Sequence, residues 1–564
     1  MLLIDWIQIL LFIVLLVALI PPMGTYMAKV FQGEPTFLHP LLRPIERLSY
    51  WITHVDPCEE MGWKRYLKTL LIFNLLGFFA LFLILEAQKI LPFNPQHFGS
   101  PSWHLTFNTA ASFVTNTDWQ AYSGETTLSY FTQMCGLTVQ NFLSAATGNA
   151  ALLVLIRGIA RKSTQCIGNF WVDLVRCVVY ILLPLSMMFA LVLVSQGVIQ
   201  SLSPYIKLST LENGMQTIPL GPAASQIAIK QLGTNGGGFF GTNSAHPFEN
   251  PNAFTNFLEV LAMILIPAAA TYMYGSMTNA RKHGWLLLLA MSLIWVGGLA
   301  LSLYSEYLNN PLLNAEPLLE GKESRIGVVH SILWSVTATA TANGSINAML
   351  SSLSPLAGGV TLFNIMLGEL IFGGVGVGLS SMLMFVFLTI FLAGLMVGRT
   401  PEYMGKKVEK REMQWVSLAI LMPSALILVG GGISSVFPPA LESLGNRGPH
   451  GLSEILYAFA SCAGNNGSAF GGLNVNTPFY NCSLALWMIV GRLSIIIPTI
   501  AIAGTLAQKK STPFSAGVFS TNTFLFLVLL IGVIVIVGAL TFFPALSLGP
   551  IIEQCLMLKG ESFE

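Results

Sequence analysis

Charged residues are scarce in this chain: Asp, Glu, Lys and Arg make up 9% of its 564 residues, whereas 54% are hydrophobic. With a mean hydropathy of +0.68, the chain lacks the polar surface that a soluble globule needs. Its 27 Lys and Arg nearly balance its 26 Asp and Glu, which excludes a generally basic nucleic-acid binder. The composition predicts an all-α polytopic membrane protein.

Motifs for catalysis and nucleotide binding are also missing. The seven cysteines form no CxxC pair and the eight histidines no HExxH, so neither a zinc site nor a redox motif is expected. The sequence has no GxxxxGKS or GxxxxGKT phosphate loop and no DKTGT phosphorylation motif. The largest inside loop, roughly 28–65, is too short for a nucleotide domain. We therefore expect no catalytic residues and no bound nucleotide in this chain.

Long hydrophobic runs are what the sequence does contain. A bilayer core of ~30 Å needs ~20 apolar residues per helix, and ten stretches meet this criterion. The first has no basic n-region, carries Asp5 and lacks a small-x-small site before Pro21 and Pro22, so we expect a retained span rather than a signal peptide. The predicted spans lie near 3–27, 66–91, 126–156, 172–198, 254–276, 284–306, 360–398, 413–434, 480–506 and 522–545.

The distribution of Lys and Arg predicts the orientation of these spans. If the N-terminus lies outside, most of the 27 basic residues fall in inside loops, as the positive-inside rule requires. Arg157, Arg281 and Arg399 are among them, whereas Lys230 falls outside and Arg492 lies within a span. With ten spans, both termini are expected to be extracytoplasmic.

Four outside connections contain a similar phrase: a short, partly apolar stretch, then a run of Thr, Asn, Gly, Ser and Ala. These phrases are "FNTAASFVTNTDWQ" (107–120), "QIAIKQLGTNGGGFFGTN" (226–243), "HSILWSVTATATANGSIN" (330–347) and "EILYAFASCAGNNGSAFGG" (454–472). Equating Thr115, Thr234, Thr341 and Ala463 predicts an internal fourfold repeat. Each short stretch provides ~10 helical residues, too few to cross the bilayer, so it is expected to enter the membrane and return.

The polar runs favour cation coordination over catalysis. Backbone carbonyls, Thr hydroxyls and Asn amides are neutral oxygen ligands, and Gly permits the backbone conformations that aim carbonyls inward. A helix that precedes each run directs its negative dipole end toward a shared cavity. Potassium, with its modest dehydration cost, is the expected guest. The alternative for any single run is close helix packing through small residues.

The seventh span, 360–398, is too long and too rich in glycine for one plain helix. Its segment "LGELIFGGVGVGLSS" (367–381) contains five glycines and Glu369, so we expect the helix to break there. A carboxylate at membrane depth is a functional candidate, and its expected partner is Arg492, the basic residue inside span 9. The alternative is a structural ion pair that pins two helices.

The chain resembles the KdpA family, the potassium-translocating A subunits of Kdp P-type ATPases. The resemblance rests on "TNTDWQAY" (115–122), "LGTNGGGFFGTNSAHPFENP" (232–251), "TATATANGSINAM" (337–349), "GELIFGGVGVGL" (368–379) and "CAGNNGSAFGGL" (462–473). It spans nearly the whole sequence. It implies four membrane–pore–membrane repeats with pseudo-fourfold symmetry, plus one extra helix at each end.

By this resemblance, each repeat contributes to a K⁺ selectivity filter. Repeat three offers Ala342-Asn343 where the family frequently has Ser-Cys, so a side-chain contribution there is in doubt. Asp118 is expected just outside the filter, either as a mouth carboxylate that concentrates cations or as a solvated loop charge. The implied filter residues are Asn116, Thr117, Thr234, Gly236, Ala342, Asn343, Gly344, Asn465 and Gly467, with Gln120 and Asn243 beside them. The implied gate, which obstructs the pore and diverts the ion sideways, comprises Glu369, Gly373, Gly374, Gly376 and Arg492.

The resemblance also implies partners, because the chain alone has no means of using ATP. They are an ATP-hydrolysing B subunit, a single-span C subunit and a small F peptide, in a bacterial cytoplasmic (inner) membrane. The alternatives are a stand-alone K⁺ channel or symporter of the same superfamily, or a membrane enzyme, which the scattered Asp5, Asp56, Asp118 and Asp173 disfavour. The expected organisation is an extra helix and loop (1–60), pore repeats one to four (61–165, 166–280, 281–405, 406–510) and a final extra helix (511–564).

Overall fold

Ten helices in the described part of the chain are long and apolar enough to cross a membrane. The computed structural model describes residues 3–313, 317–398, 400–510 and 519–562; Arg399, counted above among the inside basic residues, lies outside them. Helices dominate the fold, and the ten long ones correspond to the ten predicted spans. The prediction of an all-α polytopic membrane protein is confirmed.

The helices follow one another with short connections. In chain order they are α1 (Leu3–Gln32), α2 (His39–Thr53), α3 (Trp63–Glu86), α4 (Trp103–Val114), α5 (Gly124–Thr127), α6 (Val139–Ala160), α7 (Phe170–Arg176), α8 (Leu183–Ser195), α9 (Ala223–Leu232), α10 (Ala253–Met277), α11 (Arg281–Glu306), α12 (Val328–Ala340), α13 (Pro355–Met366), α14 (Val377–Val397), α15 (Lys410–Ser434), α16 (Pro438–Leu441), α17 (Gly448–Ala463), α18 (Pro478–Gln508), α19 (Phe524–Leu546) and α20 (Ile552–Lys559). A π-helical segment at 132–138 leads directly into α6, and another at 177–182 joins α7 to α8. Each of these two spans is therefore continuous.

Among the residues that the structure describes, strands form two small antiparallel hairpins outside the spans. In the first, β1 (Ile206–Ser209) pairs with β2 (Met215–Ile218), and Ile206 lies opposite Ile218. In the second, β3 (Glu402–Tyr403) pairs with β4 (Lys406–Lys407).

The seventh predicted span is interrupted where its glycines cluster. Helix α13 ends at Met366 and α14 begins at Val377, and residues 367–376 form a non-helical segment, here called the gate loop. Only α14 is long enough to span the bilayer. The expected break is confirmed, and the span proper starts later than predicted.

Four short helices, α4, α9, α12 and α17, are here called the pore helices. They have 10 to 16 residues, which is too short to cross a bilayer core of ~30 Å. The long helix after each pore helix is largely buried: the buried share of its most apolar stretch is 67–83% for α6, α10, α14 and α18, against 17–44% for the other spans. Four inner helices therefore surround the centre, and the remaining spans present apolar side chains outward, as lipid contact requires.

Candidate functional site

Each pore helix is followed by a segment of irregular backbone, and these four segments share one conformation. They are here called the filter loops: 115–120, 233–238, 341–346 and 464–469. Their second residues all have a left-handed backbone, with φ of 62° at Asn116, 51° at Thr234, 48° at Ala342 and 50° at Asn465. Such φ values are uncommon for residues other than Gly. Their recurrence at the same position in all four loops indicates that the surrounding structure imposes them.

The hydrogen bonds at the third position follow the same pattern. The backbone N–H of Thr117 donates to Ser112 O at 2.9 Å, and that of Asn235 donates to Lys230 O at 2.9 Å. Asn343 and Asn466 make the corresponding bonds in loops three and four. These bonds close the end of each pore helix and direct the negative ends of four helix dipoles toward the loops.

This geometry corrects the alignment of the repeats. Equating Thr234 and Ala463 with Thr115 is wrong by one residue, because the C-cap residues, which directly follow the pore helices, are Thr115, Gly233, Thr341 and Gly464. Thr234 is equivalent to Asn116. Runs of similar small and polar residues do not define their own register, whereas the helix ends do.

The four filter loops form a closed ring in which each loop is hydrogen-bonded to the next. Most of these bonds come from asparagine amides, which carry both a donor and an acceptor. The bonds are Asn116 Nδ2 to Thr234 O at 3.0 Å, Gly344 N to Asn235 O at 3.3 Å, Asn466 Nδ2 to Asn343 O at 3.4 Å, and Asn465 Nδ2 to Thr117 Oγ1 at 2.9 Å. Sequence reasoning omitted Asn235 and Asn466 from the site, although both lie in the quoted motifs.

The fourth position of the loops brings neighbouring backbones together. Gly467 has a φ of 91°, and a Cβ added there would lie 1.7 Å from Thr117 O, so only Gly fits. Gly236 and Asp118 also have positive φ, at 98° and 53°, whereas Gly344 does not. In an extended strand successive carbonyls point to opposite sides. In filter loops one, two and four the sign of φ alternates from one residue to the next, which lets successive carbonyls face the same side. Repeat three is thus the least regular of the four.

Asp118 is buried, contrary to both expectations for it. Its side chain is 2% exposed, and the Asn141 amide, in the orientation that satisfies its neighbours, donates to Asp118 Oδ2 at 2.8 Å. Gln120 is half-buried and joins loops one and two: its amide donates to Gly238 O at 3.0 Å and accepts from Gly238 N at 3.1 Å. The Asp118 carboxylate is therefore enclosed by protein rather than placed at an open mouth.

A buried ion pair supports filter loop two. Lys230, which the orientation argument assigned to an outside loop, has no exposed surface; it pairs with Glu249, which is equally buried. Lys230 Nζ also donates to Asn243 Oδ1 at 2.7 Å, and Asn243 Nδ2 donates to Gly236 O at 2.7 Å. The pair thus fixes the amide that holds a filter carbonyl. A lysine in the last turn of a re-entrant helix was the signal that could have revealed it.

A second carboxylate connects loops two and three from behind. Glu259 Oε2 accepts from Gln231 Nε2 at 2.8 Å and from Ser244 Oγ at 3.0 Å. Gln231 Oε1 in turn accepts from Asn343 Nδ2 at 3.1 Å and from Ser345 Oγ at 3.0 Å. The orientation of the Gln231 amide is thereby fixed by partners on both sides.

The gate loop packs against filter loop two and a pore helix. Val375 N donates to Thr234 Oγ1 at 2.8 Å, and Gly373 N donates to Ala340 O, at the end of α12, at 3.0 Å. Gly376 has a φ of 83°, and a Cβ added there would lie 2.4 Å from the backbone of Gly148 in α6. The gate loop therefore occupies the space between a filter loop, a pore helix and an inner helix.

Glu369 and Arg492 meet beside the gate loop, as the sequence predicted. Arg492 Nη1 lies 3.8 Å from Glu369 Oε1, and both side chains are buried. Arg492 Nη2 also donates to Ser144 O in α6 at 3.4 Å, and Glu369 Oε2 lies 3.0 Å from where a side chain on Gly374 would begin. The pair connects the broken seventh span to α18 and α6.

Comparison with known proteins identifies close relatives over the whole length. The family model of the potassium-transporting ATPase A subunit, KdpA, matches residues 10–555. A protein of Bradyrhizobium diazoefficiens is 51% identical and aligns over 100% of both chains. A protein of Pseudomonas aeruginosa is 53% identical over 97% of this chain and 98% of its own. Both relatives carry the name potassium-transporting ATPase potassium-binding subunit.

Proposed function

The chain belongs to the KdpA family of potassium-transporting ATPase A subunits, and from this premise we propose that it binds K⁺ in the ring of filter loops and passes it to the subunit that hydrolyses ATP. The observation that carries the proposal is the closed ring, in which four loops with one backbone pattern converge at the ends of four pore helices. Neutral oxygens in a ring and four negative dipole ends suit a weakly hydrated monovalent cation. The relatives' names, as potassium-binding subunits, support the same ion.

We assign K⁺ selection to nine of the twelve residues at the second, third and fourth positions of the loops. The backbone oxygens of these residues are the proposed ligands, so Ala342 serves as well as a polar residue at its position. Gln120 and Asn243 do not bind the ion in this proposal. They donate hydrogen bonds to two carbonyls of filter loop two, Gly238 O and Gly236 O. The proposed selectivity residues are Asn116, Thr117, Thr234, Gly236, Ala342, Asn343, Gly344, Asn465 and Gly467.

The gate loop is proposed to prevent a free leak. Its hydrogen bond to Thr234 in filter loop two supports this proposal, because a loop at that position obstructs a straight path to the inside. Glu369, Gly373, Gly374, Gly376 and Arg492 then define where the ion turns sideways toward the pump subunit. Burying an ion pair at membrane depth costs free energy, so charged residues there commonly serve a function. The position of this pair beside the gate loop favours a role in the path of the ion.

The proposed assembly has three further members. An ATP-hydrolysing B subunit supplies the energy, and a single-span C subunit and a small F peptide complete the complex, with no nucleotide bound by this chain. We place the chain in a bacterial cytoplasmic (inner) membrane with both termini extracytoplasmic, as the distribution of basic residues favours. The four repeats are proposed to occupy 61–165, 166–280, 281–405 and 406–510, between an extra helix in 1–60 and another in 511–564.

The test compares two Gly→Ala substitutions: one at a glycine that the ring requires, and a control at a glycine with no contacts. Gly467→Ala inserts a methyl group at the Thr117 carbonyl, whereas Gly532→Ala in α19 meets no atom within 4 Å. In the purified complex, Gly467→Ala should lower the apparent K⁺ affinity of the ATPase at least tenfold and reduce discrimination against Rb⁺ and Na⁺. Gly532→Ala should change neither.

If Gly467→Ala prevents assembly, Thr117→Val offers a milder variant, because it removes only the hydroxyl that accepts from Asn465. Unchanged affinity and selectivity in an assembled Gly467→Ala or Thr117→Val complex would refute the assignment of the filter. K⁺ current through the chain without ATP would instead indicate a stand-alone channel.

A further inference from the structure

Helix α2 carries a continuous apolar stripe that no part of the described protein covers. Leu41, Ile45, Leu48 and Ile52 follow the i, i+4, i+7, i+11 spacing of one helix face, and their exposed fractions are 72%, 44%, 53% and 60%. Trp51, beside the stripe, is 73% exposed. These side chains project away from the protein along the whole helix, and contiguous exposed apolar residues of this kind mark an interaction site.

The opposite side of α2 is fixed to the protein by a buried carboxylate. Glu46, 7% exposed, accepts hydrogen bonds from Tyr50 at 2.9 Å, from Arg176 Nε at 3.0 Å and from Tyr180 at 2.8 Å. His39 stacks on Tyr180, with ring centroids 6.1 Å apart. Because these contacts fix the rotation of the helix, the outward direction of the apolar stripe is set by the fold.

Helix α2 packs against the fourth span at the point where the sequence of that span changes from charged to apolar residues. The first turns of that span hold Asp173 and Arg176, and from Cys177 to Ser195 it carries no charged residue. Glu46 contacts Arg176 and Tyr180, on either side of this change. Helix α2 therefore lies at the height where the hydrocarbon of a bilayer begins.

Helix α2 also has a third face, which carries its exposed charged residues. Arg43 and Arg47 are exposed, and at 100° per residue they lie well away from the apolar stripe. Since the Glu46 carboxylate is buried against Arg176, the exposed charge of α2 is positive. A helix with an apolar face, arginines on its polar face and an exposed Trp has the features of an interfacial helix.

We propose that α2 lies in the plane of the membrane–water interface and binds an anionic lipid surface. Leu41, Ile45, Leu48 and Ile52 enter the boundary of the acyl chains, and Arg43 and Arg47 lie beside lipid phosphates. The exposed positive charge selects anionic lipid over an apolar protein partner, because an apolar protein face offers no counterpart for two arginines. This surface is separate from the proposed K⁺ site, so neither proposal depends on the other.

The test places a photo-crosslinking benzoylphenylalanine at Leu48, with Arg43 as the matched position on the polar face. The complete complex is reconstituted in phosphatidylcholine vesicles with and without phosphatidylglycerol, and adducts are identified by mass spectrometry. The Leu48 position, directed at the acyl chains, should yield lipid adducts, several-fold more with phosphatidylglycerol present. The Arg43 position, at the level of the headgroups and turned away from the acyl chains, should yield several-fold fewer adducts than Leu48. An adduct to another polypeptide at Leu48, or no adduct at all, would overturn the proposal.

A charge variant tests the choice of lipid. Combining Arg43→Gln and Arg47→Gln should remove the increase in Leu48 adducts caused by phosphatidylglycerol while leaving the yield in phosphatidylcholine unchanged. The apparent K⁺ affinity of the ATPase should stay at the wild-type value. Equal yields with and without phosphatidylglycerol in the wild type would overturn the role of charge. If the probe at Leu48 blocks assembly, Leu41 provides a more exposed position on the same stripe.

Discussion

The buried pair of Lys230 and Glu249 allows a quantitative test of how the filter is held. Lys230→Met keeps the length of the side chain but leaves the Glu249 carboxylate without its cation, in a site with no exposed surface. Removing one partner of a buried pair costs about 3–5 kcal/mol. The Lys230→Met complex should therefore unfold at a clearly lower temperature than the wild type.

The same substitution should weaken ion binding by a smaller, calculable amount. Lys230 holds Asn243, whose amide donates to Gly236 O, and losing one such hydrogen bond costs about 1 kcal/mol. At 1.4 kcal/mol per tenfold change, this corresponds to a roughly fivefold loss of apparent K⁺ affinity. The assay is K⁺-stimulated ATPase activity of the purified complex, beside its thermal unfolding.

Two variants separate support of the filter from general stability. Glu249→Gln combined with Lys230→Met removes both charges and should recover most of the lost stability. Lys322→Met breaks another buried pair, with Glu306 at 3.1 Å, and should lower stability without changing K⁺ affinity. The reasoning would be refuted if Lys230→Met lowered stability but left affinity at the wild-type value, or if Lys322→Met weakened affinity equally.

Two other predictions concern the gate and helix α2. Exchanging both charges, Glu369→Arg with Arg492→Glu, should restore the thermal stability lost in either single exchange but not coupled K⁺ transport; recovery of both would reduce the pair to a structural pin. Burial raises the pKa of Glu46, but hydrogen bonds from Tyr180 and Arg176 outweigh it and hold the pKa below the ordinary 4.5. The contacts of ionised Glu46 thus stabilise α2 above that pH and are lost as the pH falls below it, so amide exchange in α2, corrected for intrinsic rates, should accelerate on acidification, and Glu46→Gln should abolish this dependence.

The main features of the fold could be predicted because they depend on local sequence. A hydrophobic run of sufficient length predicts a span wherever it occurs, and the polar runs indicated where four short helices give way to irregular backbone. The break in the seventh span was also predictable, since Glu369 and its neighbouring glycines lie within one short stretch. These signals need no knowledge of what the segment packs against.

The support behind the filter could not be predicted because it depends on long-range contacts. Lys230 and Glu249 belong to different elements, and their pairing requires the path of the loop between them. The amides of Asn235 and Asn466 bond to neighbouring repeats more than a hundred residues away in the chain. The buried Asp118 carboxylate likewise has a distant partner, because it accepts from Asn141 on an inner helix. Composition indicated the kind of chemistry, whereas tertiary structure decides which amide holds which carbonyl.

The closed ring of filter loops comes from one continuous chain, and this has a consequence for how the site can change over generations. In a ring of four identical subunits every substitution occurs four times, so no quadrant can change alone. Here a substitution alters one quadrant and leaves three intact. Repeat three, where Gly344 lacks the positive φ of its counterparts, is already such a departure. Single substitutions can therefore change ion affinity through one filter loop at a time.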